Sequence, residues 1–385
     1  MTQSSNMWCV IARAIFARSN PQIANLRLLR RFAARNDTLR LWTCLVIAMF
    51  VSGCNSIQPT RTLTPAPTAT PTITLTPTRG PSPTGTRTPT ITATPMPTAT
   101  PTITLTPTPF PRPSGKITRF ETKFRSAILN EDRKILIYLP PGYATQTARR
   151  YPVLYILHGY GGFNLQNTTE WEQWGLKDVA ETLMNNGEMP PAIIVQPNGY
   201  MDGGAPSYFF NHGPGTDGKR WGDYIWQDVV NYVDKNYRTI PNRASRAIGG
   251  FSLGGQGALS LSLSHPEIFS VVGAHSPSFR GADGSIPYIN DWNWFNQFDP
   301  IWLVKNTNNA RELTLWLDVA SGDDKVRECG AGSDRCVLAF HDLLVAKNIP
   351  HEWRGDWSGS HEGFTYWARH IGDYLRWYSA QVVGQ

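Results

Sequence analysis

Residues 250–254 read Gly-Phe-Ser-Leu-Gly, which sets Ser252 in the spacing G-x-S-x-G. The residues before it, 245–251, form a strand-like apolar run, and 254–264 continue as a helix-like run. A serine at that junction is expected on a sharp strand-to-helix turn with its hydroxyl presented as a nucleophile. The composition fits the strain of such a turn. The serine takes an unfavourable backbone conformation, and glycine two residues to either side removes the Cβ atoms that would collide with the strand and the helix. The amide of Leu253 opens the helix and faces the same space as the hydroxyl, where it can stabilise an oxyanion.

A serine hydroxyl attacks a carbonyl only if a base takes its proton and an acid orients that base, and after such a turn both are expected later in the chain. His361 is the candidate base, in the polar, glycine-rich loop Trp357-Ser358-Gly359-Ser360-His361-Glu362-Gly363. The other histidines lie on predicted helices, at strand or helix ends, or ahead of the serine. Asp324 is the expected acid, in Ser321-Gly322-Asp323-Asp324 after the strand-like run 313–320; Asp323 is the second choice and Asp318, inside the strand, the third. A second glycine loop, 157–162, follows another strand-like run and is expected to supply the other oxyanion amide from Tyr160, with His158 bracing the loop. Trp357, four residues before His361, is the candidate substrate-binding aromatic. Trp292, Trp294, Tyr208, Phe209 and Phe210 fall in long connections of the kind that form substrate walls.

These residues can meet only if particular elements carry them. Strand-like runs are expected at 117–127, 134–139, 151–157, 192–196, 245–251, 270–274, 313–320 and 351–354, with helical patterns at 170–186, 221–235, 254–264, 335–347 and 363–380. The first two strands are separated by Asn130-Glu131-Asp132, a hairpin turn. After them, short β-branched runs alternate with amphipathic helices. That order predicts an α/β domain over 116–385: a mostly parallel sheet covered on both faces, with the two leading strands as its antiparallel edge.

Ahead of that domain the composition changes twice. Residues 1–40 carry seven arginines and one aspartate, and 41–51 are an uncharged apolar run ending in Ser52-Gly53-Cys54. This reads as a signal peptide over 1–53 with a lipoprotein-like cleavage box, so Cys54 is the candidate lipidation site. The rival is an uncleaved anchor helix beginning near Leu41; either attaches the protein to a membrane and places the rest of the chain outside the cytoplasm. Residues 54–115 are dominated by Pro and Thr, and PTATPTITLTPT occurs twice, at 67–78 and 97–108. Such a segment has no apolar surface to offset ordering and is expected to be a disordered, extended spacer.

The formal net charge of +7 is concentrated in the leader: from residue 116 onward 25 Lys and Arg face 28 Asp and Glu. A slightly acidic domain argues against a nucleic-acid partner. Cys329 and Cys336 are close together in a Gly/Ser/Asp-rich stretch, the pattern of a disulfide closing a short loop, worth about 2–3 kcal/mol. No further ligands stand near them to make a metal site, and no motif implies an organic cofactor.

From about residue 117 to 380 the chain resembles the esterase D-like branch of the α/β hydrolases, which includes feruloyl and acetylxylan esterases, S-formylglutathione hydrolases and mycolyltransferases. The segments that carry the resemblance are YPVLYILHGYGG, MPPAIIVQPNG, YVDKNYRTIPNRASRAIGGFSLGGQGAL, SHPEIF, LWLDVASGDD and GSHEG, in that order. It implies a serine carboxylesterase with the triad Ser252, Asp324 and His361 and no cofactor. The segment from Cys329 to Cys336, between acid and base, departs from the family's pattern. Export on a long tether favours a carbohydrate-linked ester, feruloyl or acetyl, as substrate. An extracytoplasmic acyltransferase using the same acyl-enzyme is the alternative, and a tethered, non-catalytic binding module the third.

Overall fold

The computed structural model describes residues 113–161, 169–202, 204–330 and 333–382; the expected leader, Cys54 and the Pro/Thr segment up to residue 112 lie outside them. Eight strands form one sheet: β1 (Thr118–Ser126), β2 (Glu131–Leu139), β3 (Val153–Leu157), β4 (Ile193–Pro197), β5 (Arg246–Phe251), β6 (Val271–His275), β7 (Thr314–Asp318) and β8 (Glu352–Arg354). Their order is β1-β2-β4-β3-β5-β6-β7-β8. β1 and β2 pair antiparallel, β2 meets β4 antiparallel, and every later pairing is parallel. The expected sheet and its antiparallel edge are both present.

Successive side chains on a strand point to opposite faces, and each face here is covered. Ile135, Ile137, Val153, Tyr155, Ile193 and Val195 pack into one core layer, and their neighbours Leu136, Tyr138, Leu154, Ile156 and Ile194 into the other. The second face is covered by α1 (Glu170–Gln173), α2 (Leu176–Asn186) and the C-terminal helix, Ala368–Gln381. α2 buries Leu176, Ala180, Leu183 and Met184, the helical spacing of a single apolar stripe. The first face is covered by α3 (Trp221–Asp223), the π-helical turn Tyr224–Val229, α4 (Val230–Asn236) and α5 (Leu253–Ser264).

Two differences from the sequence expectation have local causes. The helix expected over 170–186 is split because Gly175 adopts φ 90° between α1 and α2. α6 (Trp292–Phe295) and α7 (Pro300–Asn306) occupy a stretch where no helix was expected. A signal for α7 was present: the Asp299 side chain accepts from the Trp302 amide, and Pro300 takes the first turn, where its missing N–H costs nothing. The last two helices are α8 (Val337–Ala346) and α9 (Ala368–Gln381), the latter entered through a π-helical turn over Gly363–Trp367.

Candidate active site

Ser252 joins β5 to α5 with φ 52° and ψ −119°, a conformation that L-residues adopt only under constraint. The constraint is visible around it. Its amide donates to the His275 carbonyl (3.0 Å), and its carbonyl accepts from the Ser278 amide (2.9 Å) and from the start of α5. A Cβ on Gly250 would stand 2.6 Å from the Gly254 backbone, and one on Gly254 2.5 Å from the His158 carbonyl, so both flanking glycines are required by contact. As the first residue of α5, Leu253 has an N–H with no partner in the helix ladder.

His361 meets the serine: Nε2 lies 2.8 Å from Ser252 Oγ. Its Nδ1 donates to Oδ2 of Asp323 at 2.6 Å. The expected acid, Asp324, is thus displaced by its neighbour. The Asp323 amide donates back to the Ala320 carbonyl (3.1 Å), which turns the chain so that Asp323 is buried while Asp324 is exposed to solvent. Asp318, the third choice, ends β7 fully buried, paired with His275 rather than His361. Acid and base loops are joined beyond the last strands by hydrogen bonds from Val319 to Arg354, Ser321 to Trp357 and Gly322 to Gly359.

Two supporting residues were not foreseen. Ser276, in the left-handed region at φ 48°, donates its hydroxyl to the same Asp323 oxygen at 2.7 Å. The only sequence signal for it was a polar residue at the carboxyl end of the strand beside β5, where sheets of this type gather their sites. Glu170, at the start of α1, accepts from the Gly159 amide with Oε2 and from the Gly161 amide with Oε1, each at 3.0 Å. The Tyr160 amide between them has no acceptor among the described residues. The carboxylate therefore holds the loop and leaves the Tyr160 N–H without an acceptor, and Tyr160 lines, with Ser252, Leu253, His361 and Tyr208, a cavity of about 310 Å³. Replacing Glu170 with Gln puts an NH₂ against one of those amides. We expect kcat to fall about 10- to 100-fold, a fraction of what a lost oxyanion donor costs, with KM little changed; steady-state kinetics showing an unaltered kcat would refute the positioning role.

His158 is a brace, as expected. Its Nδ1 donates to the Gly159 carbonyl (2.8 Å) and its Nε2 accepts from the Gly199 amide (2.9 Å), so the neutral tautomer is fixed. Burial pushes its pKa down to about 4 from 6.5. Between these values the unfolded chain takes up the proton and the folded one does not. The resulting stability is present in full above pH 6.5 and is lost as pH falls toward 4, on the order of 3 kcal/mol. Urea unfolding of His158→Gln across that window is expected to give a flatter stability–pH curve than the wild type; curves of equal steepness would assign the acid sensitivity elsewhere.

Trp357 is not in this cavity. Its ring stacks on His370 with centroids 3.7 Å apart and lines a separate surface cleft with Arg354 and Trp353. Gly359, between Trp357 and His361, takes φ 145°, and the two side chains line different cavities despite four residues of separation. Of the other aromatic candidates, Tyr208 lines the cavity, whereas Phe209 and Phe210 are buried. Cys329 and Cys336 form the expected disulfide, with Cα atoms 4.9 Å apart.

A mostly parallel eight-stranded sheet in this order, with a serine turn after β5, an acid after β7 and a histidine after β8, is the α/β-hydrolase fold. Within it, the chain belongs to the Putative esterase family, whose model matches residues 126–377. An esterase of Mycobacterium tuberculosis strain H37Rv is 30% identical over 259 residues, covering 60% of this chain and 53% of its own. The chain thus spans about half the length of that relative. An endo-1,4-beta-xylanase/feruloyl esterase of Xylanibacter ruminicola is 28% identical over 141 residues, 36% of this chain and 18% of its own. Among solved structures, a ferulic acid esterase superposes with TM-score 0.58 at 24% identity, over 69% of this chain and 99% of that one. An S-formylglutathione hydrolase from Agrobacterium tumefaciens gives 0.57 at 16% identity, over 70% and 96%.

Proposed function

We propose that the protein is an exported serine carboxylesterase that hydrolyses a carbohydrate-linked ester, feruloyl or acetyl, through an acyl-enzyme. The observation that carries the reading is the continuous hydrogen-bonded path Ser252–His361–Asp323 opening into one cavity. His361 Nε2 takes the Ser252 proton as Oγ bonds to the carbonyl carbon. The negative oxygen of the tetrahedral intermediate lies against the Leu253 and Tyr160 amides, while Asp323 holds the imidazolium. His361 then passes the proton to the departing alkoxide as its C–O bond breaks. Water, deprotonated by the same nitrogen, attacks the acyl carbon; the acyl–Oγ bond breaks, His361 returns the proton to Ser252 Oγ, and the carboxylic acid leaves.

The carbohydrate part of the reading is supported by the relative described as a xylanase/feruloyl esterase, and by the sequence of the leader and linker. Lipidation at Cys54 would tether the enzyme to a membrane outside the cytoplasm, with residues 54–115 as the spacer. The test is a hydrolysis panel on the full chain beside Ser252→Ala, using p-nitrophenyl acetate, p-nitrophenyl octanoate, methyl ferulate and acetylated xylan, with and without an added alcohol. Serine-dependent release of ferulate or acetate to water is the expected result. Turnover confined to simple acyl esters would refute the carbohydrate substrate, and partition of the acyl group to the alcohol would favour acyl transfer.

A further inference from the structure

The cavity at Ser252 is charged on one side. Arg280 and Lys325 both line it, both are exposed, and none of its lining residues is an Asp or Glu. Among the described residues neither cation forms an ion pair, whereas their surroundings are compensated: Arg335 bonds Asp299 with two nitrogens, and Lys305 bonds Asp334. The two are also built into the machinery of the site. Gln256, one turn along α5 from Ser252 and 1% exposed, accepts from the Arg280 amide (2.8 Å) and donates to the Arg280 carbonyl (2.7 Å). The Arg280 backbone is thereby fixed to the helix that carries the nucleophile. Lys325 sits in the turn that begins at Asp323, closed by the Arg327 amide on the Asp323 carbonyl (2.9 Å) and tied to α8 by the Val337 amide on the Val326 carbonyl (2.9 Å). Two cations without an ion pair thus stand at one cavity, on backbones held by the nucleophile's helix and the acid's loop.

Resting on the serine-esterase reading, we propose that Arg280 and Lys325 receive an anionic group of the substrate, so that the preferred ester carries a carboxylate: on the alcohol part if the acyl group is feruloyl or acetyl, or on an acyl group that replaces these. A guanidinium and an ammonium lining one cavity favour such a group by charge-assisted hydrogen bonding, and a neutral ester leaves both to water.

The experiment compares charged and neutral esters of similar shape on the full chain. For the acyl side the pair is mono-4-nitrophenyl adipate and 4-nitrophenyl heptanoate; for the alcohol side it is 4-acetoxybenzoate and 4-acetoxybenzamide. The readout is the ratio of kcat/KM, charged over neutral. It is expected to exceed one by about tenfold or more in at least one pair, the size of one charged hydrogen bond, and to shrink in high salt. In Arg280→Gln and Lys325→Gln the ratio is expected to fall toward one, and the pair that responds tells which part bears the anion. Ratios at or below one in both pairs, or a preference that survives the double substitution, would overturn the proposal while leaving Ser252-dependent hydrolysis standing. Turnover that stays at the wild-type rate in Ser252→Ala would remove the serine reading and this inference with it.

Discussion

Ser252→Ala is expected to lower kcat on p-nitrophenyl acetate by about 10⁶-fold, with KM and the thermal midpoint close to wild type. The loss is that large because the serine, histidine and aspartate work as one path: without Oγ, the Nε2 that lies 2.8 Å from it has no proton to take. Removing His361 instead should therefore cost nearly as much, and removing both little more than either. What remains is attack by water on a carbonyl polarised by the Leu253 and Tyr160 amides, enough to leave activity above the uncatalysed rate. Single-turnover kinetics separates this account from its rivals. A Ser252→Ala enzyme that still builds up an acyl intermediate, or cleaves at the wild-type rate, would show that the nucleophile lies elsewhere.

The elbow was readable because its chemistry demands unusual residues at fixed short spacing. Glycine two residues to either side of a serine, at the junction of a strand-like and a helix-like run, is the pattern such a turn needs, and the contacts that a Cβ would meet at Gly250 and Gly254 show why they are required. The sheet was readable for a similar reason, since buried parallel strands need short apolar runs in a regular order. The parts that escaped are set by long-range geometry. Whether Asp323 or its neighbour turns inward depends on the phase of a turn and on a hydroxyl 47 positions earlier in the chain, neither of which leaves a local pattern. Glu170 stands 9 residues after Gly161, and only the fold returns it to the loop it holds.

Residue types alone would also have allowed a second site. His275 Nδ1 bonds Asp318 at 2.6 Å, as short as the bond from His361 to Asp323, and a hydroxyl, that of Tyr378, lies 2.9 Å from its Nε2. Its environment separates it from the His361–Asp323 pair. Asp318 also accepts from Trp316 Nε1 (2.7 Å) and the Tyr366 hydroxyl (2.8 Å), and is fully buried. Burial, together with the Asp318 charge, holds the Tyr378 phenol far above its ordinary pKa, so it stays protonated and a poor nucleophile. This second pair joins β6, β7 and α9 behind the first and gives the base loop a rigid backing through Tyr366 and Trp367.

Asp323→Asn is expected to reduce kcat about 10⁴-fold, whereas Asp324→Asn should stay within about twofold of wild type. In the native site Asp323 accepts two hydrogen bonds on Oδ2, from His361 Nδ1 and from the Ser276 hydroxyl. Those bonds fix the proton on Nδ1 and leave Nε2 bare toward the serine. An asparagine is nearly the same shape, but its NH₂ can donate to Nδ1 and so stabilises the other tautomer, in which Nε2 carries the proton and cannot act as base. The imidazolium that forms during attack also loses its counter-charge. Asp324 touches neither group, and its exposure to solvent leaves its charge screened from the site. Raising the pH should partly rescue Asp323→Asn, because hydroxide can replace the missing base, and that rescue distinguishes a lost tautomer from a misfolded loop. Equal losses in the two variants, or a larger loss at Asp324, would return the acid's role to the exposed neighbour and make the Asp323 contact structural.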